Sequence, residues 1–150
     1  MLRITKLTDY ATVLLAALAA APTRVHSAAD LAAQAHLELP TVSKVLKPLA
    51  HAGLVTGFRG ANGGYKLARP AREIRLIDIV EAIEGKLGLT ECSGEHSLCE
   101  HETHCGTRGH WNRVNEVVAD ALRGVSLQDM LPTTKHKAAR TIPLQLAQGA

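Results

Sequence analysis

The feature that most constrains this chain is a glycine-punctuated basic hairpin placed directly behind a short amphipathic helix. The stretch runs LELPTVSKVLKPLAHAGLVTGFRGANGGYKLAR from Leu37 to Arg69. Val42, Val45, Leu46 and Leu49 recur at helical spacing and predict a buried stripe. The other face carries Thr41, Ser43, Lys44 and Lys47. Short hydroxyls and ammonium groups of this kind suit base edges and phosphates in a DNA major groove. Pro40 fits the first helical turn, where its missing N–H costs nothing, and Pro48 predicts a kink late in the helix. Ala52-Gly53 predicts the helix end, and Leu54-Val55 a return to the core. Thr56 to Ala68 then reads as a hairpin, with Asn62-Gly63 a strong signal for a turn of positive φ and Gly64 loosening it further. Arg59, Lys66 and Arg69 put positive charge on that hairpin. Taken singly, a lysine-bearing helix face is a solvated face and Asn-Gly is only a turn. Their immediate succession is far more specific and reads as the recognition helix and wing of a winged helix-turn-helix.

The flanking sequence completes that fold. Thr8 to Ala20 predicts a first helix, with Thr8 as N-cap, Tyr10, Val13, Leu14 and Leu18 on its inner face, Asp9 and Thr12 exposed, and Pro22 closing it. Ser27 opens a second helix over Ala28–His36, and Asp30 completes a capping-box pattern. Leu31, Ala32 and Ala35 point inward, and His36 to Leu39 forms the turn before the recognition helix. Beyond Arg69-Pro70-Ala71, Leu76 to Glu84 predicts another amphipathic helix, with Ile79, Val80 and Ile83 apolar and Gly85 and Gly88 stopping it. Trp111, Val114, Val117, Val118, Ala121 and Leu122 mark a longer helix over Trp111–Gly124, and Ser126 to Leu131 a last short one. The long helix has too few partners in so small a domain, so it is expected to pack against its counterpart in a homodimer. The fold class is therefore mainly α with a small β wing. The expected organisation is a DNA-binding winged helix-turn-helix over 1–84, a cysteine-rich loop over 85–110, a dimerisation helix and short terminal helix over 111–131, and a disordered tail over 132–150.

Charge is distributed to match. Residues 1–75 carry ten Lys and Arg against four Asp and Glu, whereas residues 76–150 carry seven against ten. A basic first half is the electrostatic footprint of a nucleic-acid-binding head. Leu14 to Ala21 is apolar but follows Asp9 and is too short to span a membrane, so the chain is expected to be cytoplasmic. In that compartment thiols serve as ligands or remain free rather than forming disulfides.

All three cysteines, Cys92, Cys99 and Cys105, fall in a segment with almost no apolar content. His96, His101, His104 and His110 and Glu91, Glu95, Glu100 and Glu102 are interleaved with them. No hydrophobic core can order such a segment, but thiolates converging on a metal centre can, and the binding energy then becomes folding energy. The cysteines are separated by six and then five residues. Structural zinc favours two-residue spacings between paired ligands, while wide spacing suits a loop wrapped around a larger iron–sulfur cluster. Cluster, zinc and free thiols all remain open on spacing alone. No CxxC pair, nucleophile–base set or phosphate loop argues for an enzyme.

The joint pattern resembles the IscR/NsrR-type iron–sulfur transcription regulators. It consists of LTDYA at Leu7–Ala11, RGANGGYKLARP at Arg59–Pro70, IRLIDIVEAIEG at Ile74–Gly85, and three cysteines before a Trp-led helix. The similarity covers about residues 1–131 and leans toward the regulator of the SUF iron–sulfur assembly system. The resemblance implies a homodimer on near-palindromic double-stranded promoter DNA, with an iron–sulfur cluster held by Cys92, Cys99 and Cys105. It also implies repression of iron–sulfur assembly genes, with cluster state setting DNA affinity. Arg59 matches the family's minor-groove wing arginine, and Thr41, Ser43 and Lys44 fall on its base-reading helix. In assembly-type members a histidine follows the last cysteine by three residues, but here that position is Arg108. In the nitric-oxide-sensing relatives an aspartate of the partner subunit's first helix is the fourth ligand, and Asp9 matches it. That match leans toward [4Fe-4S] over [2Fe-2S]. The alternative is a zinc-stabilised or metal-free winged-helix DNA-binding protein.

Overall fold

The computed structural model describes residues 4–91, 93, 99 and 104–132. Cys92, His96, His101, Glu95, Glu100, Glu102 and the tail from 133 onward lie outside the described residues.

Three helices form the reading head: α1 (Lys6–Ala20), α2 (Ala28–Ala35) and α3 (Leu39–His51). The wing follows as β1 (Val55–Phe58) and β2 (Gly64–Leu67), then a 3₁₀ turn at Ala71–Glu73, α4 (Leu76–Glu84), α5 (Arg108–Arg123) and α6 (Leu127–Met130). The core is one cluster fed by every part of the head: Leu14, Leu15 and Leu18 of α1, Leu31 of α2, Val42, Val45, Leu46 and Leu49 of α3, Leu54, Ile74, Ile79 and Leu127. The four apolar residues predicted for α3 are all buried. In α1 the inner face is rotated from the expected one, because Ala11 and Leu15 are buried while Val13 is 41% exposed.

Local chemistry accounts for the ends of the elements. Ser27 caps α2 with a reciprocal box, its hydroxyl accepting from the Asp30 N–H at 3.0 Å. α2 ends on His36 in the left-handed conformation (φ 53°), with Leu37 N–H donating to Ala32 O at 3.0 Å. α3 ends the same way on Gly53 (φ 69°), where Leu54 N–H donates to Leu49 O at 2.9 Å. Pro48 does not shorten α3, which runs on to His51. The exception is α1. Its N-cap is Thr5, and Thr8 is a buried first-turn residue rather than the cap.

The strands pair antiparallel, with Val55 opposite Leu67, Thr56 opposite Lys66, Gly57 opposite Tyr65 and Phe58 opposite Gly64. A five-residue loop, 59–63, joins them. Neither Asn62 nor Gly63 has positive φ; that conformation falls on Gly60 (φ 109°), and Gly63 N–H closes the loop onto Gly60 O at 2.9 Å. Gly63 is instead required by crowding, since a Cβ there would lie 2.5 Å from Phe58 O. The wing is tied to the head by a backbone bridge, His26 N–H to Tyr65 O at 2.9 Å and Tyr65 N–H to His26 O at 2.8 Å.

Beyond the wing, α5 begins at Arg108, one turn ahead of the expected Trp111, because its first turn carries no apolar signal. It rests on α4 and is stitched to the chain before it by buried Asn115, whose Oδ1 accepts from Leu89 N–H at 3.2 Å. Among the described residues no helix is long and apolar enough to cross a membrane.

Candidate nucleic-acid interface and cysteine segment

The residues predicted to face DNA lie on α3 and on the wing. Ser43, Lys44 and Lys47 stand exposed on the face of α3 opposite its buried stripe, and Thr41 is half-buried at its start. Arg59 and Asn62 are exposed in the wing loop. Lys66 is half-buried, its ammonium 4.9 Å from the centroid of the Phe58 ring. Arg69 departs from expectation. Its guanidinium bonds Asp78 at 3.0 Å, and the same carboxylate oxygen accepts from the Arg75 N–H at the start of α4. That positive charge is committed to joining the wing's end to α4.

The start of α1 is a second focus, and sequence reasoning missed its organiser. Glu84, the last residue of α4, accepts at one carboxylate oxygen from the Thr5 N–H (3.1 Å), the Thr5 hydroxyl (2.6 Å) and the Thr8 hydroxyl. These bonds, the Thr5 hydroxyl foremost, hold the Glu84 carboxyl below its ordinary range. Glu84 thereby ties the N-cap residue and first turn of α1 to the end of α4 and places negative charge near the positive end of α1. No local pattern signals this, since the two ends are separated by almost the whole reading head. Asp9 sits one turn in. Its N–H donates to Thr5 O at 3.3 Å, its carbonyl accepts from the Thr12 hydroxyl at 2.7 Å, and its side chain is exposed. A groove of about 390 Å³, bordered by Thr5, Thr8, Asp9, Thr12 and Met130, runs past it.

Of the cysteines, Cys99 and Cys105 are described; both are free and half-buried. Cys105 lies just before α5, its sulfur 3.3 Å from the Thr107 hydroxyl. That contact and then the Thr107 backbone lower its thiol from the usual value, with the Arg108 charge adding to them and burial opposing. The thiolate is the form that binds metal, and a lowered thiol reaches it more readily. Among the described residues no three His, Cys, Asp or Glu side chains converge as they would around an ion. α5 continues with Trp111, Val114 and Val117 exposed at 44, 45 and 62%. This is an apolar stripe on the side not covered by α4.

A three-helix head, a basic recognition helix and a two-stranded wing define a winged-helix DNA-binding transcription regulator. The model of the Rrf2 family, described as iron-dependent transcriptional regulators, matches residues 4–133, and the chain belongs to that family. A Neisseria meningitidis serogroup A protein named as an HTH-type transcriptional regulator is 35% identical over 96 residues, 64% of this chain and 64% of its own length. Among solved structures, the global cysteine regulator CymR of B. subtilis superposes with a TM-score of 0.67 at 27% identity, covering 87% of this chain and 96% of that one. The T. potens IscR structure superposes with a TM-score of 0.64 at 28% identity, covering 86% and 85%.

Proposed function

We propose that this chain is a cytoplasmic, homodimeric repressor of iron–sulfur assembly genes, whose affinity for promoter DNA follows the state of an iron–sulfur cluster on Cys92, Cys99 and Cys105. The observation that carries this reading is the pair of free thiols between α4 and α5 in a chain of an iron-dependent family. The donor chemistry fits: thiolates hold such clusters. Three cysteines leave one position for another donor. The exposed carboxylate of Asp9 of the partner subunit, with no side-chain bond among the described residues, suits it. Such a cluster would supply a redox-labile tie between subunits, with [4Fe-4S] favoured over [2Fe-2S] by the match of Asp9 to the nitric-oxide-sensing relatives. The chain's own residues do the rest. The apolar stripe Trp111–Val114–Val117 pairs the subunits, α1 bears on α3, and α3 with Arg59 engages the two halves of a near-palindromic site.

A second reading, a metal-free or zinc-stabilised winged-helix regulator, draws on the likeness to the B. subtilis cysteine regulator. One experiment separates the two. Iron, acid-labile sulfide and zinc are measured with an absorption spectrum on protein purified without oxygen, for the wild type and Cys99→Ala. Iron and sulfide in near-equal amounts, lost in Cys99→Ala, support the cluster. Zinc alone after anaerobic reconstitution, or no metal, supports the second reading.

A further inference from the structure

Phe58 is the chain's only phenylalanine, and it lies on the surface, 39% exposed. The register of the wing explains what it does there. Thr56 pairs with Lys66 and Phe58 with Gly64, so Phe58 and Lys66 are diagonal neighbours on one face of the hairpin. The residue opposite Phe58 has to be glycine, because a Cβ at position 64 would lie 2.3 Å from the His26 carbonyl oxygen. The ring therefore has no side chain directly across from it. Lys66 fills that place from the diagonal, with its Nζ 4.9 Å from the ring centroid, inside the range of a cation–π contact.

A two-stranded hairpin is marginal on its own. Val55 and Leu67 anchor the base of this one in the core and the backbone bridge ties Tyr65 to the head, whereas β1 ends beyond them at exposed Phe58. The next residue is Arg59. We propose that Phe58 and Lys66 form a cross-strand strut that positions the wing tip, so that Arg59 is presented to DNA in a fixed place and Lys66 acts on its own ring rather than on a phosphate. This rests on Arg59 being a DNA-reaching residue, so the test carries its own control at that position.

The full chain is titrated over a range of salt onto a fluorescent duplex obtained by affinity selection on the wild type. Phe58→Leu and Lys66→Met should each weaken binding about threefold, from the strength of such a pair. The double variant should be no weaker than either single one. Phe58→Tyr, which keeps the aromatic face, should bind as the wild type does. Lys66→Met should leave the slope of log affinity against log salt unchanged, since no phosphate contact is lost. A slope reduced by about one in Lys66→Met, losses that add in the double variant, or a Phe58→Tyr as weak as Phe58→Leu would each overturn the strut. An Arg59→Ala that weakens binding beside a neutral Phe58→Leu defeats the strut alone. An Arg59→Ala without effect defeats the reading of Arg59 as well. Unchanged thermal midpoints across the set show that the variants fold.

Discussion

Removing the Glu84 carboxylate should loosen the start of α1. Three donors from the first turn of α1 converge on one oxygen of Glu84. Loss of these hydrogen bonds costs about 1 kcal/mol net, and loss of a charge at the positive helix end about 0.5 kcal/mol more. Glu84 is exposed, so water replaces part of what is lost. Glu84→Ala should therefore destabilise the metal-free protein by about 1 kcal/mol, a fall of roughly 3 °C in thermal midpoint for a chain of this size. Glu84→Gln, which keeps an acceptor oxygen, should lose about half as much. The effect must also depend on pH. The Glu84 carboxyl is held low in the folded chain, so its contribution is complete above the unfolded value of about 4.3 and is lost as pH falls through the lower folded value. The difference between wild type and Glu84→Gln should be constant near neutrality and shrink below about pH 4.5. The assay is urea unfolding across that range, in a cycle with Thr5→Ala. A coupling energy of zero between positions 84 and 5 would refute the tie, however destabilised either single variant proved.

Other substitutions probe the remaining parts. Gly64→Ala should destabilise the chain by about 2 kcal/mol through forced strain, because its Cβ would meet the His26 carbonyl at 2.3 Å; a midpoint within a degree of wild type would show that the wing junction yields. Lys44→Ala and Lys47→Ala, on the exposed face of α3, should each lower the salt slope of DNA binding by about one if each meets a phosphate. An unchanged slope would place that lysine off the DNA. Val117→Asp puts a charge at the most exposed point of the α5 stripe, so it should leave the head folded while shifting sedimentation from dimer to monomer. A dimer that persists would locate the subunit contact elsewhere.

The reading head was legible because its signals are local. The spacing of Val42, Val45, Leu46 and Leu49, the Ser27–Asp30 box and the run from Leu76 to Glu84 each depend on residues within one or two turns. Two errors fall where a group outside the local window supplies the stabilisation. Thr8 has a good N-cap side chain, but its hydroxyl goes to Glu84 and the helix starts earlier. Arg69 follows the wing in sequence, yet its charge is taken by Asp78. In the hairpin, Asn62-Gly63 offers the standard tight-turn dipeptide, but the five-residue loop puts the left-handed residue at Gly60. Val13 fits the helical period as well as Ala11 does, and only the packing of α1 selects between them. Buried Asn115 carried no apolar signal, though it holds α5 to the chain before it. For the cysteines, the sequence supplied candidate donors, whereas the lowering of the Cys105 thiol depends on its contact with Thr107.

Two of these contacts fall on α4, through Asp78 and Glu84. Glu84 ends α4 and is followed by Gly85 (φ 89°), where the chain turns away toward the cysteines. The same carboxylate fixes Thr5, whose carbonyl receives the Asp9 N–H, and α1 lies against α3. α1 thus touches both α4, which leads into the cysteine segment, and α3, which carries the exposed Lys44 and Lys47. A disturbance of that segment has two short routes to α3: through Glu84 within one chain, and through Asp9 if the partner's cysteines engage it. The routes differ in one respect that can be measured. Glu84→Gln perturbs the first in the metal-free protein as well as the loaded one, whereas Asp9→Asn should alter DNA affinity only when the cluster is present. An equal effect of Asp9→Asn on both forms would confine Asp9 to the electrostatics of its own helix.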